Sequence, residues 1–411
     1  MTLVQEAWNH KIVRYLGLAR MIRSVGTGAI WPFIALYFSM DLQLPLYITG
    51  MIFSVYFSIG IISQPVSGLL ADFLGRKPTM VVASFLYVVV SSALFLADVL
   101  HGSAIIISAL FVCFALPSAI EYPAMNAMVS DLSPEIGKSR AFSTFRTIFN
   151  IGWIIGPLFG VIFFELGFSL IFLLNVITSV VSLLFILFFI DDSNSFRRSN
   201  GREINGHHFK LDRLIIIFGS GVFFLSMLAG QFQTSLPLFS AHSILSNPSL
   251  YGYVYAANGI TVVVSQPVIN RLMRRFSDMQ SMVLGVLFYI IGYGTVAFTR
   301  SLPQLILDMV IITTGENLTA PAENSVISSY STQDKTGRYM AFKSAMWGIG
   351  SMVGPSAGLL FLYGFGYSGF LTWSSISLFG VAAILAFLLF ASGMKRRVKH
   401  SFVNLTVHED F

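Results

Sequence analysis

Five ionisable residues stand inside long apolar stretches of the chain, and they carry most of the chemistry the sequence offers. Glu121 and Arg146 fall at similar depth in two consecutive runs, and Glu323 and Lys343 repeat the arrangement later. Glu316 lies two turns from Glu323, with no cation obvious at its level. A charge within hydrocarbon is costly unless it is paired or wetted. Each carboxylate and cation therefore reads as an ion pair, or all four as one network lining a central cavity. Desolvation favours the protonated form of a carboxylate and an adjacent cation opposes it. Glu316 is thus the better candidate to carry a proton. Glu121 and Glu323 either exchange partners during a conformational change or form static pairs that fix helix packing. Arg20 and Arg23 lie in the inner third of the first run, where snorkelling to the membrane surface suffices; the alternative for Arg23 is a role in holding an anionic substrate. Asp308 reads as interfacial.

Further polar points in apolar surroundings are Gln231 and Gln233, Asn150 and Asn258, with Tyr37, Tyr122 and Trp347 as candidate aromatic walls. Each either touches a substrate or hydrogen-bonds one helix to another. Cys113 is the single cysteine, so a disulfide within the chain and a cysteine-based metal site are excluded. The histidines fall in loops and tails, with His242 at a run's edge, and imply no metal. No zinc-type spacing, serine elbow or phosphate-cradling loop is present, which argues against an enzyme, a cofactor and direct use of ATP.

The elements that must position these residues follow from composition. The chain has 411 residues, 55% hydrophobic and 11% charged, with mean hydropathy +0.76. Soluble domains carry about 25% charged residues, so the chain reads as a multi-pass protein of the cell membrane with the lipid bilayer as its partner. Runs long enough to cross about 30 Å of hydrocarbon fall near 15–40, 46–74, 78–98, 103–131, 138–165 and 167–190, then near 213–241, 248–275, 279–299, 303–330, 337–364 and 367–393. The expectation is an all-α membrane protein with twelve transmembrane helices. Residues 1–190 form its first half, 191–212 a polar linker, 213–393 its second half and 394–411 a basic tail. Met1 to Arg14 lacks the short apolar core of a signal peptide. Of 25 Lys and Arg, only Arg300 falls in an outer loop when the N-terminus is inside, so both termini are expected in the cytoplasm. Topology also accounts for the net charge of +6, and no nucleic-acid partner is expected.

The halves repeat. Ser63-Gln64-Pro65-Val66 recurs as Ser265-Gln266-Pro267-Val268. A longer echo at a constant offset of 198 matches Pro123 with Pro321, Asn126 with Asn324 and Arg140 with Arg338. It goes on to match Gly152, Gly156, Pro157 and Gly160 with Gly350, Gly354, Pro355 and Gly358. Glycines four apart allow close helix approach. The repeat argues for two pseudo-symmetric six-helix bundles related by an axis along the membrane normal.

Between the second and third runs stands Gly68-Leu69-Leu70-Ala71-Asp72-Phe73-Leu74-Gly75-Arg76-Lys77. Gly68 and Asp72 share a helix face, Gly75 can take a positive φ, and Arg76 and Lys77 supply inner positive charge. This pattern resembles the loop joining the second and third helices of major facilitator superfamily transporters. The resemblance implies a secondary transporter working by alternating access. It also implies a conformational latch in which Asp72 and Arg76 join Asp131, topology and capping alone being the alternative. Gly152-x-x-x-Gly156-Pro157-x-x-Gly160 is similar to the family's exporter motif, although Val161 stands where that motif has a second glycine and the repeat in the eleventh run suggests plain packing. Trp31-Pro32-Phe33-Ile34-Ala35-Leu36-Tyr37 resembles a segment of drug–proton antiporter relatives. Two features of those relatives are missing: an arginine in the fourth run, and the acidic residue that cation-drug exporters carry in the first. The resemblance implies proton-coupled export of a hydrophobic small molecule by a monomer, with protons as coupling ion. Proton-coupled uptake or exchange of a metabolite or organic anion, using Arg146 and Lys343, is the alternative. A transport-dead receptor or scaffold is a third reading.

Overall fold

The computed structural model describes residues 11–136, 138–190, 212–273, 275–331 and 335–408. Among these, regular structure is entirely helical. The chain begins with α1 (Lys11–Ile30), α2 (Leu46–Leu74), α3 (Arg76–Val99), α4 (Ala104–Cys113), α5 (Ala115–Ile136), α6 (Lys138–Leu166) and α7 (Phe168–Phe189). It continues with α8 (Arg213–Ala229), α9 (Ser235–Ser243), α10 (Tyr251–Met273), α11 (Asp278–Val296), α12 (Leu302–Tyr330), α13 (Thr336–Gly364) and α14 (Gly369–His408).

Ten of the described segments are long and apolar enough to cross a membrane. The helices α10 and α12, of 23 and 29 residues, stand outside those ten. Asn258 in α10 and Asp308, Glu316 and Glu323 in α12 lower their hydropathy. The expected linker lies outside the described residues except for Asp212, whose carboxylate accepts from the Leu214 N–H and caps α8. Residues 394–408 of the expected tail continue α14 as helix.

Proline sets the breaks. Pro32 withholds an N–H and the first segment turns at Trp31–Phe33 before resuming as Ile34–Leu36 and a π-turn at Tyr37–Asp41. Pro117, in the first turn of α5, cannot donate to the carbonyl of Cys113, where α4 stops. Gly75 joins α2 to α3 alone, at φ 97° and ψ 167°, a region that only glycine occupies comfortably. Ser277 caps α11 reciprocally with Gln280.

The packing pattern occurs twice. The first helix α1 lies against α6 and α7, as α8 lies against α13 and α14. Likewise α3 packs on α5 and α7, as α11 packs on α12 and α14. The repeated glycines make these approaches possible. A Cβ on Gly156 would fall 2.5 Å from the Val25 carbonyl, and one on Gly354 2.9 Å from the Met227 Cα. The two parts meet along α2 with α13 and α6 with α10. The first seam runs from Tyr47 beside Tyr363 through Gly50 on Ser356 to Ile61 on Gly348. Within it, Ser54 Oγ donates to the Met352 carbonyl at 2.5 Å. In the second, Trp153 stacks on Tyr255 at 5.9 Å, and Glu165 Oε1 accepts from Asn247 Nδ2 at 2.9 Å and Ser249 Oγ at 3.0 Å.

Gly75→Ala should cost about 1–3 kcal/mol through backbone strain, and Gly156→Val a similar amount through overpacking. Gly294→Ala, where a Cβ meets nothing within 4 Å, should be neutral or slightly stabilising. Thermal midpoints of the three purified variants in one detergent check the order.

Candidate functional site

The seams close the helices over one half of their length, the end where α2 begins and α13 finishes. From Gly60, Ile61 and Gly348 onward, toward the end marked by Gly75, the helices enclose a cavity of about 820 Å³. Its wall takes Arg20 and Arg23 from α1, Tyr122 and Asn126 from α5, Phe149 and Trp153 from α6, and Glu323, Lys343 and Trp347 from α12 and α13. The mixture of aromatic surface and a few charges suits an organic ligand of modest size.

One charged cluster sits on the α1 side. Arg20 Nη1 donates to Glu121 Oε2 at 3.1 Å, and Arg23 Nη2 lies 3.7 Å from Glu121 Oε1. Ser84 Oγ in α3 donates to that same Oε1 at 2.8 Å. Both Glu121 and Arg23 are fully buried. The Arg23 guanidinium carbon stands 4.0 Å from the centre of the Tyr87 ring, and the Arg20 guanidinium lies over Phe149 and Tyr122. Aromatic faces thus stabilise both cations where water is scarce.

This corrects two expectations. Glu121 pairs with Arg20 and Arg23, and Arg146 is an exposed side chain. Arg23 does not snorkel, because the first helix turns that face inward. The signal was present in the spacing: Arg20, Arg23, Ser24, Thr27 and Trp31 share one helical face, and all five line the cavity.

The second pair stands as expected. Lys343 Nζ lies 3.4 Å from Glu323 Oε2 and donates to Asn324 Oδ1 at 2.8 Å. Seven residues earlier on α12, Glu316 Oε2 accepts from Asn258 Nδ2 at 3.2 Å, which also donates to Thr313. Among the described lining residues are Gln233, Tyr122 and Trp347, but not Glu316, Asn150 or Asn258. Gln231 is buried in a structural role, its amide donating to the Met227 and Gly354 carbonyls and its Oε1 accepting from Ser235. Tyr37 lies at the closed end instead of on the cavity, stacked on Phe168 with its hydroxyl donating to Asp98. Asp308 is buried and accepts from Thr299 Oγ1 at 2.5 Å.

Of the expected latch, Gly68 lies within α2 and Gly75 makes the turn, while the side chains of Asp72 and Asp131 lie outside the described residues. Lys77 Nζ donates to the Leu187 carbonyl at 3.2 Å, one of the end carbonyls of α7. Arg76 heads α3. Among the described residues no group of three or more His, Cys, Asp or Glu could hold a metal ion.

The sequence profile of the Major Facilitator Superfamily matches residues 16–246 and 218–404. A Na(+), Li(+), K(+)/H(+) antiporter from Planococcus maritimus is 26% identical, covering 93% of this chain and 97% of that protein. The quinolone resistance protein NorA of Staphylococcus aureus is 21% identical, covering 82% of this chain and 86% of that protein. Among solved structures, the peptide transporter POT superposes with a TM-score of 0.76 at 14% identity, covering 93% of this chain and 94% of that one. The nucleoside transporter NupG superposes with a TM-score of 0.74 at 14% identity, covering 93% and 99%. At these identities the superpositions speak for the fold alone.

Glu121→Gln should destabilise strongly, by about 3–5 kcal/mol, because it leaves two buried guanidinium groups without a counter-charge. Arg146→Gln should change stability by no more than about 0.5 kcal/mol. Thermal unfolding of both variants separates the observed pairing from the expected one.

Proposed function

The chain belongs to the major facilitator superfamily, and from that premise we propose that it is a secondary active transporter working by alternating access, exporting a hydrophobic small molecule in exchange for protons. Family membership makes it a multi-pass membrane transporter rather than an enzyme. The observation that carries the finer reading is the cavity: aromatic walls, intramembrane charges on its surface, and, among the described residues, a seal along α2–α13 and α6–α10 at one end.

In this reading α10 and α12 also cross the membrane, which gives twelve spans. Residues 1–190 and 213–393 then form two six-helix bundles joined by 191–212, and the repeated packing pattern supports that division. With both termini in the cytoplasm, as the distribution of Lys and Arg favours, the cavity faces the cytoplasm and the seal faces outward. The seal consists of small residues, hydroxyls, the ring pairs Tyr47–Tyr363 and Trp153–Tyr255, and one carboxylate, Glu165, held by two neutral donors. Contacts of that kind separate at modest cost when the bundles rock. The loop from Gly68 to Lys77, with Asp131, serves as the latch at the opposite end.

Three carboxylates could carry the proton. Glu121 is held by two arginines and a serine, which leaves it no simple exchange of partners. Glu316 is set back from the wall. Glu323 faces the cavity, where its Oε1 has no hydrogen-bond partner among the described residues, and its partner Lys343 has Asn324 as a second acceptor. A proton arriving from the cavity on Glu323 therefore releases Lys343 without stranding it. Export is the favoured direction because the Gly-Pro motif of α6 and the Trp31–Tyr37 segment resemble those of exporting relatives, and NorA is a resistance protein by name.

Proteoliposomes containing a trapped pH-sensitive dye test this reading. Hydrophobic small molecules, charged and neutral, should drive proton movement in the wild type. Glu323→Gln should abolish it, and Glu316→Gln should retain most of it. Movement that survives Glu323→Gln and fails in Glu316→Gln would assign the proton to Glu316.

A further inference from the structure

Among the described residues, Arg23 is the buried charge with the most donors left without a partner. Its side chain is 1% exposed, yet Nε, Nη1 and Nη2 have no hydrogen-bond partner among the described residues. Its contacts are the Tyr87 ring face and one 3.7 Å approach to Glu121. Glu121 already accepts from Arg20 on Oε2 and from Ser84 on Oε1, and Arg23 stands beyond hydrogen-bond distance of it. Arg20 Nε is likewise without a partner. Two guanidinium groups therefore share one carboxylate, and the cluster carries a net positive charge. The opposite wall does not offset it, because Lys343 and Glu323 pair one to one. Both arginines line the cavity. An intramembrane cation with unused donors marks a binding site by default, and a planar guanidinium fork matches a carboxylate or a similar oxyanion.

We infer that the transported molecule is an aromatic or aliphatic organic anion, its carboxylate or equivalent headgroup held by Arg23 and Arg20 and its apolar body lying against Trp31, Tyr122 and Trp153. This rests on the transporter reading above and names its substrate class. It also assigns to Arg20 and Arg23, on α1, the anion-holding role that the sequence analysis offered to Arg146 and Lys343 and, as an alternative, to Arg23. The charge arithmetic works against cations: an organic ammonium ion entering this cavity meets an excess positive charge and finds no free carboxylate on the α1 side. It works equally against dianions, for which one excess charge is too few. Ser24 and Thr27 do not compete for the headgroup as donors, because their hydroxyls are committed to the Arg20 and Arg23 carbonyls at 2.7 and 3.0 Å.

Calorimetric titration of the purified full chain with 4-phenylbutyrate, 4-phenylbutanol and 4-phenylbutylammonium tests the inference, since the three probes differ only in their headgroup. The carboxylate should bind about tenfold tighter than the alcohol, and the ammonium more weakly than either. Arg23→Gln and Arg20→Gln each bring the cluster to neutrality. Each should remove the preference for the carboxylate while leaving alcohol binding within about threefold of wild type. If Arg23→Gln fails to fold, the wild-type ranking and Arg20→Gln still decide. Equal or tighter binding of the ammonium probe, no binding of the carboxylate, or a preference unchanged in the folded variants would overturn the inference. Binding in micelles needs neither a proton gradient nor alternating access. A carboxylate preference without coupled proton movement in liposomes would therefore sink the transport reading and leave the anion site standing, and the reverse result would do the opposite.

Discussion

A buried charge in an apolar medium must find a partner, and this constraint organises the interior. Glu121 draws α1, α3 and α5 together because Arg20, Arg23, Ser84 and Tyr87 all converge on it or on its partners. None of these helices could rotate by a third of a turn without leaving an ion stranded in hydrocarbon. The same constraint joins α12 to α13 through Glu323 and Lys343. Around these fixed points a few neutral or singly charged contacts, such as Ser91 with Asn175 and Asn317 with Ser265, add to the register, and most of the remaining surface is apolar. Its packing is decided by shape, which is where the glycines enter. Gly152, Gly156 and Gly160 let α6 lie on the backbone of α1, and Gly350, Gly354 and Gly358 do the same for α13 on α8.

The two kinds of interface have different chemistry because they have different work to do. Within each half, α1 with α6 and α8 with α13 meet backbone to backbone through glycine, which leaves little slack. Between the halves glycine also allows close approach at Gly50 and Gly252, but α2–α13 and α6–α10 add tyrosines, serines, a stacked Trp–Tyr pair and the Glu165 contacts. Those groups are amphipathic, and each can exchange its partner for water when the seam opens. Rigid bodies separated by a wettable seam are what a rocking mechanism requires.

Much of the fold was legible because membrane insertion writes itself in composition. The apolar runs, the loop at Gly75 and the repeated Gly-Pro pattern all appear as helices, turns and close contacts. The two runs around 248–275 and 303–330 were found as candidates but do not qualify by hydropathy alone, because α10 and α12 carry the polar groups that face inward. The site was only half legible. Depth along a helix can be counted from sequence, and it paired Glu323 with Lys343 correctly. Depth does not say which way a helix is turned, so it matched Glu121 with Arg146 and left Arg20 and Arg23 to snorkel. The face shared by Arg20, Arg23, Ser24, Thr27 and Trp31 held the missing information. Gln231 and Tyr37 misled for a related reason: a polar group in an apolar run satisfies a neighbouring backbone or carboxylate as readily as it faces a cavity.

The two charged clusters are not equivalent, and the difference bears on how the proposed cycle divides its labour. The α1 cluster is over-determined. Two cations, a hydroxyl and an aromatic face fix Glu121 so firmly that its carboxylate has no freedom to change partners, and what remains available there is donor capacity on the arginines. The α12–α13 cluster is a simple pair with a spare acceptor beside it, so its cation can shift to Asn324 when the carboxylate is neutralised. A rigid cluster with spare donors suits recognition, in which geometry must not change as the ligand arrives. A pair with a relay suits proton exchange, in which a charge must vanish without stranding its partner. Placing recognition in one half and exchange in the other makes the ligand span the interface that has to move, and in the proposed cycle this is how occupancy of the cavity acts on both halves at once.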